Sequence, residues 1–220
     1  MNITIYREAE KRIMELAQKY SNELEKQIGL RMLEMKGDDT SHFLIYRVLG
    51  ITLQEGEKID IYQNKGRFLY KYAGSFLEEA AIICFELSHP NAIRKTRIPN
   101  NLGVKPKTFE IDCLIEQNAY EIKWRDATTD GDHITKEHTR VKCIKGSNLI
   151  PIRLMFYYPN RTQAIKIQET LKTIYEGLNG QYYFGDGAWR HLKDKTGIDL
   201  LEILTYIANT NDKRKYDGYK

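Results

Sequence analysis

Phe109-Glu110-Ile111-Asp112-Cys113-Leu114-Ile115-Glu116-Gln117-Asn118-Ala119-Tyr120-Glu121-Ile122-Lys123 is the stretch on which the reading of this chain turns. It spells a strand, a tight turn and a second strand. Asp112 sits on the first strand, and Glu121 and Lys123 sit two positions apart on the second. Strand side chains alternate between faces, so Glu121 and Lys123 point one way and Ile122 the other. Antiparallel pairing of the two strands can bring Asp112 beside them, so that two carboxylates and an ammonium converge on one spot. Oxygen-rich sites of this kind suit hard divalent cations such as Mg²⁺, and a neighbouring lysine can orient or activate a water. The chemistry that fits is hydrolysis of a phosphodiester. A lone E-x-K triplet in a strand is most often a solvated face, so the surrounding sequence carries weight.

Outward from the hairpin, Trp124 to Asp132 is polar, and its Thr-Thr-Asp-Gly-Asp run reads as a turn leading into a helix cap. Ile134 to Lys145 predicts a helix and Pro151 to Tyr158 a strand, a succession that implies a parallel crossover. Thr162 to Tyr175 predicts a further helix. Gly177 to Gly187 reads as a linker rich in glycine and aromatics, followed by helices over Ala188 to Lys195 and Ile198 to Ala208 and a polar tail over Asn209 to Lys220. On the other side of the hairpin, Ala92 to Lys107 reads as a basic loop able to meet phosphates. Gly66 to Leu87 predicts an amphipathic helix, with Phe68, Leu69, Tyr72, Phe76, Ala80 and Ile83 on its apolar stripe. Gln54 to Lys58 reads as a polar loop, Ile59 to Tyr62 as a short strand, and His42 to Thr52 as either strand or helix. Ile5 to Met35 predicts a long amphipathic helix, a candidate for dimerisation.

Composition narrows the classes. The chain has 220 residues, 41% hydrophobic and 29% charged, which suits a soluble globule with a sizeable core. The net charge of +4 permits nucleic-acid binding without demanding it. Cys84, Cys113 and Cys143 each lie in apolar runs with no C-x-x-C spacing, so buried free thiols are expected rather than disulfides or zinc. His133 and His138 are five apart and make a poor zinc pair. No apolar run approaches the ~20 residues of a membrane span, and the charged, amphipathic start is no signal peptide. A cytoplasmic protein with no membrane partner is expected.

Asp112, a hairpin and then Glu121-Ile122-Lys123 resemble the signature of the PD-(D/E)XK nucleases, although Ile111 stands where that signature usually has proline. Together with Trp124 to Arg140 and Pro151 to Arg161, the segment is similar to the ApaLI-like type II restriction endonucleases. The resemblance implies an α/β fold with a mixed central sheet flanked by helices. It implies one domain over residues 1–220, with a nuclease core over about 66–175 and helical extensions at 1–65 and 176–220.

It also implies roles. Asp112 and Glu121, with the backbone carbonyl of Ile122, would hold Mg²⁺, and Lys123 would position the attacking water or stabilise the developing charge. Glu78 in Gly74-Ser75-Phe76-Leu77-Glu78 has the spacing often seen before such hairpins, with Glu79 as its competitor; either is equally readable as a solvated helix residue. Arg125, Thr128, Thr129, Asp130, Asp132, His133, Lys136 and Arg140 follow the metal strand and are placed to approach double-stranded DNA. A homodimer cutting a palindrome is expected, with GTGCAC as the first sequence to test. The alternatives are a structure-specific or repair nuclease of the same fold and a catalytically silent DNA-binding module.

Overall fold

The computed structural model describes residues 3–103, 105–125 and 131–217, the side chains of 131–133 and 212–217 excepted. Thr128, Thr129, Asp130 and the side chains of Asp132 and His133 therefore lie outside the described residues. The chain divides into two compact units, residues 1–14 with 77–220 and residues 15–76.

The larger unit is built on a five-stranded mixed sheet in the order β1-β2-β3-β4-β5. These strands are β1 (Ile93–Pro99), β2 (Thr108–Ile115), β3 (Asn118–Arg125), β4 (Ile150–Tyr157) and β5 (Gln181–Phe184). β1 to β3 run antiparallel, whereas β3–β4 and β4–β5 are parallel. Parallel neighbours need a crossover, and the helices α4 (Gly131–Gly146) and α5 (Thr162–Gly177) supply the two. The expected hairpin, crossover helix and strand are thus all present.

Both faces of the sheet are covered, and successive residues show it. Ala119 joins Ile98, Phe109 and Ile111 of the strands in a cluster with Cys143 and Ile144 of α4. Its neighbour Tyr120 points the other way, onto Phe85 at 4.5 Å. Phe85 belongs to α3 (Leu53–Ser88), whose last turns bury Leu77, Ala80, Ala81, Ile82, Ile83 and Cys84. β5 repeats the alternation. Tyr182 packs with Leu171 and Tyr175 of α5, while Tyr183 stacks on His191 of α6 (Asp186–Thr196) at 4.0 Å. The last helix is α7 (Leu200–Asp217). All three cysteines are buried and free.

Residues 15–76 comprise most of α1 (Ile3–Glu34), the short α2 (Phe43–Val48) and the first two-thirds of α3. Tyr20 meets the rings of Tyr72 and Phe76 edge-on at 6.1 and 5.9 Å. Asp60 accepts from the Tyr46 hydroxyl at 2.9 Å and lies 2.9 Å from His42 Nε2. Gly56 has a packing reason, since a Cβ there would come within 2.7 Å of the Tyr46 ring.

Several expectations are corrected, and one left open is settled. Residues 54–62 are neither loop nor strand but the first turns of α3, in which Asp60 is held by His42 and Tyr46. The ambiguous segment after His42 is helical over Phe43–Val48. The basic segment Ala92 to Lys107 contains β1, an edge strand whose Arg94 is bonded to Glu86 at 2.7 and 2.8 Å. The linker Gly177 to Gly187 contains β5, which lies past the expected core boundary at 175; Gly180 permits this approach, because a Cβ there would sit 2.6 Å from the Pro151 carbonyl oxygen. The polar tail also continues α7 as far as Asp217.

Candidate active site

The β2–β3 ladder stops at Cys113–Tyr120, one residue short of Asp112 and Glu121. Beyond it a side chain replaces the backbone partner, and the Ile122 N–H donates to Asp112 Oδ2 at 2.7 Å. This bond aims a buried carboxylate at the splayed end of the hairpin. Glu121, also buried, stands next to it, and Lys123 joins the two: its Nζ is 2.5 Å from Glu121 Oε1 and 3.8 Å from Asp112 Oδ2. The convergence expected from strand alternation is present. Ile122 enters through its N–H, and its side chain is buried.

The two carboxylates differ in their surroundings. Burial, reinforced by the negative charge of Glu121, pushes Asp112 well above the usual carboxylate range; Lys123 and the Ile122 N–H only partly oppose it, and Glu78 adds to it. Burial also acts upward on Glu121, but Lys123, Arg140 and Arg153 together outweigh it and hold Glu121 below its ordinary value. Of the two carboxylates, Glu121 is thus the one held more firmly as an anion, and Asp112 the one that takes up a proton more readily.

Glu78 lies on the Asp112 side of the site, ion-paired with Lys95 of β1. Lys95 takes a left-handed backbone (φ 55°) in mid-strand, uncommon for a non-glycine residue, and also approaches Glu110 at 3.6 Å. The competing Glu79 acts electrostatically on Arg94 instead. Among the candidate DNA-binding residues, Arg125 ends β3 and is exposed, and Lys136 is exposed on α4. Lys136 shares with Lys123 and Arg140 the lining of an open cavity of about 330 Å³. Arg140 is placed differently from Lys136: it is ion-paired with Glu121, and its guanidinium lies 5.8 Å from the centre of the Phe109 ring.

Sequence reasoning missed the group behind the site. Arg153, in the middle of β4 and opposite Glu121 in the register, is 1% exposed. Its Nη1 donates to Glu137 Oε1 at 3.1 Å, and the Tyr175 hydroxyl donates to the same oxygen at 2.6 Å. Glu137 Oε2 lies 3.8 Å from Arg140 Nη1. Charges therefore alternate in an unbroken series from Asp112 through Lys123, Glu121, Arg140 and Glu137 to Arg153. The signal for it was an arginine inside the apolar run Pro151 to Phe156, because a buried guanidinium requires a carboxylate partner.

The ApaLI-like restriction endonuclease family model matches residues 5–209 of the chain. The chain belongs to that family. As a member of the ApaLI-like restriction endonucleases it is a nuclease that acts on DNA, and restriction endonucleases generally use divalent metal ions. No curated protein and no solved structure matches it. No helix among the described residues is long and apolar enough to cross a membrane. Nor do the described residues gather three or more His, Cys, Asp or Glu side chains in a group that could hold a metal. In this ApaLI-like chain the candidate donors are the pair Asp112 and Glu121. Such a pair fits Mg²⁺, which keeps several waters and is usually bound by one or two carboxylates plus substrate phosphate. It fits poorly with a cation that needs a cage made wholly of protein.

Proposed function

We propose that the chain is a Mg²⁺-dependent type II restriction endonuclease with a PD-(D/E)XK core, hydrolysing phosphodiesters at a palindromic site in double-stranded DNA. The observation that carries the reading is the meeting of Asp112, Glu121 and Lys123 where the β2–β3 ladder ends, with Asp112 oriented by the Ile122 N–H. Asp112, Glu121 and the Ile122 carbonyl would hold the metal, which when bound supplies Lewis acidity at the phosphate and relieves the repulsion between the two carboxylates. Lys123 holds a proton-bearing ammonium beside both carboxylates, where it can orient the attacking water and offset charge developing on the phosphorus oxygens. Glu78, held by Lys95, borders the Asp112 side. Lys136 and Arg125 are exposed, and Arg125, Thr128, Thr129, Asp130, Asp132, His133, Lys136 and Arg140 are the segment from which sequence readers would come.

The test is incubation of the protein with phage DNA and Mg²⁺, with GTGCAC-containing duplexes as the first defined substrates. Discrete bands that disappear in Asp112→Asn support the reading. A smear points to a general nuclease of the same fold, and uncut DNA from the wild-type protein overturns it.

The enzyme is further proposed to act as a homodimer, since one copy of the site per strand cuts a palindrome symmetrically. The N-terminal helix is a weaker candidate for the contact than its stripe suggests, because Ala9, Ile13 and Leu16 are already buried. Leu44, Ile45, Val48, Leu49 and Leu53 are instead each more than half exposed. Together they offer roughly a few hundred Å² of apolar surface, a substantial part of the ~800 Å² that one side of a standard interface buries. Arg47 is the one Lys, Arg, Asp or Glu residue between Asp39 and Glu55, and acidic residues of a second copy, Glu55 and Glu57 among them, give it counter-charges. Sedimentation equilibrium should give twice the mass of 25.8 kDa, falling to the monomer in Leu44→Glu with Val48→Glu. A wild-type monomer, free and on DNA, removes the dimer; a dimer that the double variant leaves intact moves the contact elsewhere.

A further inference from the structure

Glu121 faces two cations, and only one of them belongs to the E-x-K signature. Lys123 Nζ and Arg140 Nη1 both contact the same oxygen, Oε1. A metal that takes Glu121 must therefore compete with Arg140. Arginine cannot yield by losing its proton, because its guanidinium stays charged at every accessible pH. Beside a dication on the same carboxylate it is repelled.

A second position is built for it on the same helix. Glu137 precedes Arg140 by three residues on α4, and its carboxylate is divided between two tasks. Oε1 is committed to Arg153 at 3.1 Å and to Tyr175 at 2.6 Å. Oε2 faces Arg140 Nη1 at 3.8 Å, near enough for attraction and farther than a hydrogen bond. Arg140 Nη1 thus stands between two carboxylates, paired with one and within reach of the other. The guanidinium lies 5.8 Å from the centre of the Phe109 ring, and the side chain, 21% exposed, lines the open cavity shared with Lys123 and Lys136.

We infer that Arg140 is a displaceable counter-ion: it holds Glu121 in the metal-free enzyme, then shifts to Glu137 and offers its guanidinium to the DNA phosphate once a metal takes Glu121. It is a positioning residue acting through Glu121, and this role rests on the reading of Asp112 and Glu121 as metal ligands. Fully buried Arg153 and Tyr175 hold Glu137 as the fixed acceptor of the second position. The consequence is a coupling. Arg140 opposes metal on the free enzyme, and metal favours phosphate binding by releasing Arg140; by linkage, phosphate then favours metal by the same factor.

The experiment measures Mn²⁺ binding to the full chain without DNA, by electron paramagnetic resonance, alongside single-turnover cleavage. Arg140→Ala and Arg140→Met should bind Mn²⁺ more tightly than wild type, on the order of tenfold, as expected for loss of a ~1.4 kcal/mol competitor. Cleavage should nevertheless slow, and Arg140→Lys should restore both quantities towards wild type. The methionine variant keeps a long unbranched side chain without the charge, and circular dichroism melts establish that the variants fold. A merely structural role would leave Mn²⁺ affinity unchanged or weaken it, and either result in a folded variant overturns the proposal. Asp112→Asn separates the two readings. Mn²⁺ binding by wild type that this change abolishes supports the metal site, so that unchanged affinity in the Arg140 variants then refutes the counter-ion alone. No Mn²⁺ binding by wild type or by either Arg140 variant refutes both.

Discussion

Glu137→Gln is the perturbation that most directly tests the charge series behind the site, and it does so without reference to catalysis. The change keeps the volume of a side chain that is 4% exposed and removes its charge. Arg153, 1% exposed, loses the carboxylate 3.1 Å from its Nη1. Removing one partner of a buried ion pair costs about 3–5 kcal/mol, because the other charge stays in a low-dielectric interior. Two features place this case at the lower end. The glutamine carbonyl can still accept from the Tyr175 hydroxyl, and Glu121 still attracts Arg153 through space. A loss of about 3 kcal/mol is therefore expected, a large part of the 5–15 kcal/mol typical of whole domains. For a chain of this size it corresponds to a fall in Tm of roughly 6–12 °C. Urea unfolding can be followed by the fluorescence of Trp189, whose ring lies 4.3 Å from Phe156 beside β4. Glu137→Gln combined with Arg153→Met removes both charges and should recover part of the loss, since a buried pair replaced as a whole is often nearly neutral. A single-variant loss below about 1 kcal/mol, or a double variant no more stable than the single, would refute the reasoning.

Two further outcomes are expected. Lys123→Ala should slow single-turnover cleavage on the order of 10²-fold or more while sparing DNA affinity, because it removes a charge placed for the transition state; an unchanged rate at saturating enzyme rejects the assignment. His191, stacked on Tyr183, is held down to about 4 by burial and by the neighbouring charge of Lys195. The unfolded chain takes up a proton near the ordinary histidine value, ~6.5, before the folded chain does, so stability is full above that pH and is lost as pH falls towards 4, by on the order of 2–3 kcal/mol. His191→Gln should flatten the wild-type slope between pH 6.5 and 4.5, and equal slopes would refute the role.

What the sequence discloses depends on whether the cause is local. The hairpin is legible because alternation and a two-residue turn at Glu116 and Gln117 both lie within fifteen residues, and the same alternation puts Glu121 with Lys123. β1 is not legible. Its Arg94, Lys95 and Arg97 carry no apolar period, and it becomes a strand by pairing with β2 and setting those cations against Glu86, Glu78 and Glu110. The start of α3 misleads for a related reason: Gly56 and the pattern Ile59-Asp60-Ile61-Tyr62 argue against helix locally, whereas His42 and Tyr46, more than a dozen residues earlier, hold Asp60 and fill the space above Gly56. The pairing of Glu137 with Arg153 spans a parallel crossover, and no periodicity encodes it. Yet one constraint was present in the sequence. β4 runs Pro151-Ile152-Arg153-Leu154-Met155-Phe156, and a strand that apolar must be covered on both faces. A guanidinium at its centre then has to meet an anion inside the fold, and the preceding helix offers Glu137 as its one carboxylate past the first turn. Reading a misplaced charge as a demand for a partner points to Glu137, and Arg140, three residues further along the same helix, is what connects that partner to Glu121.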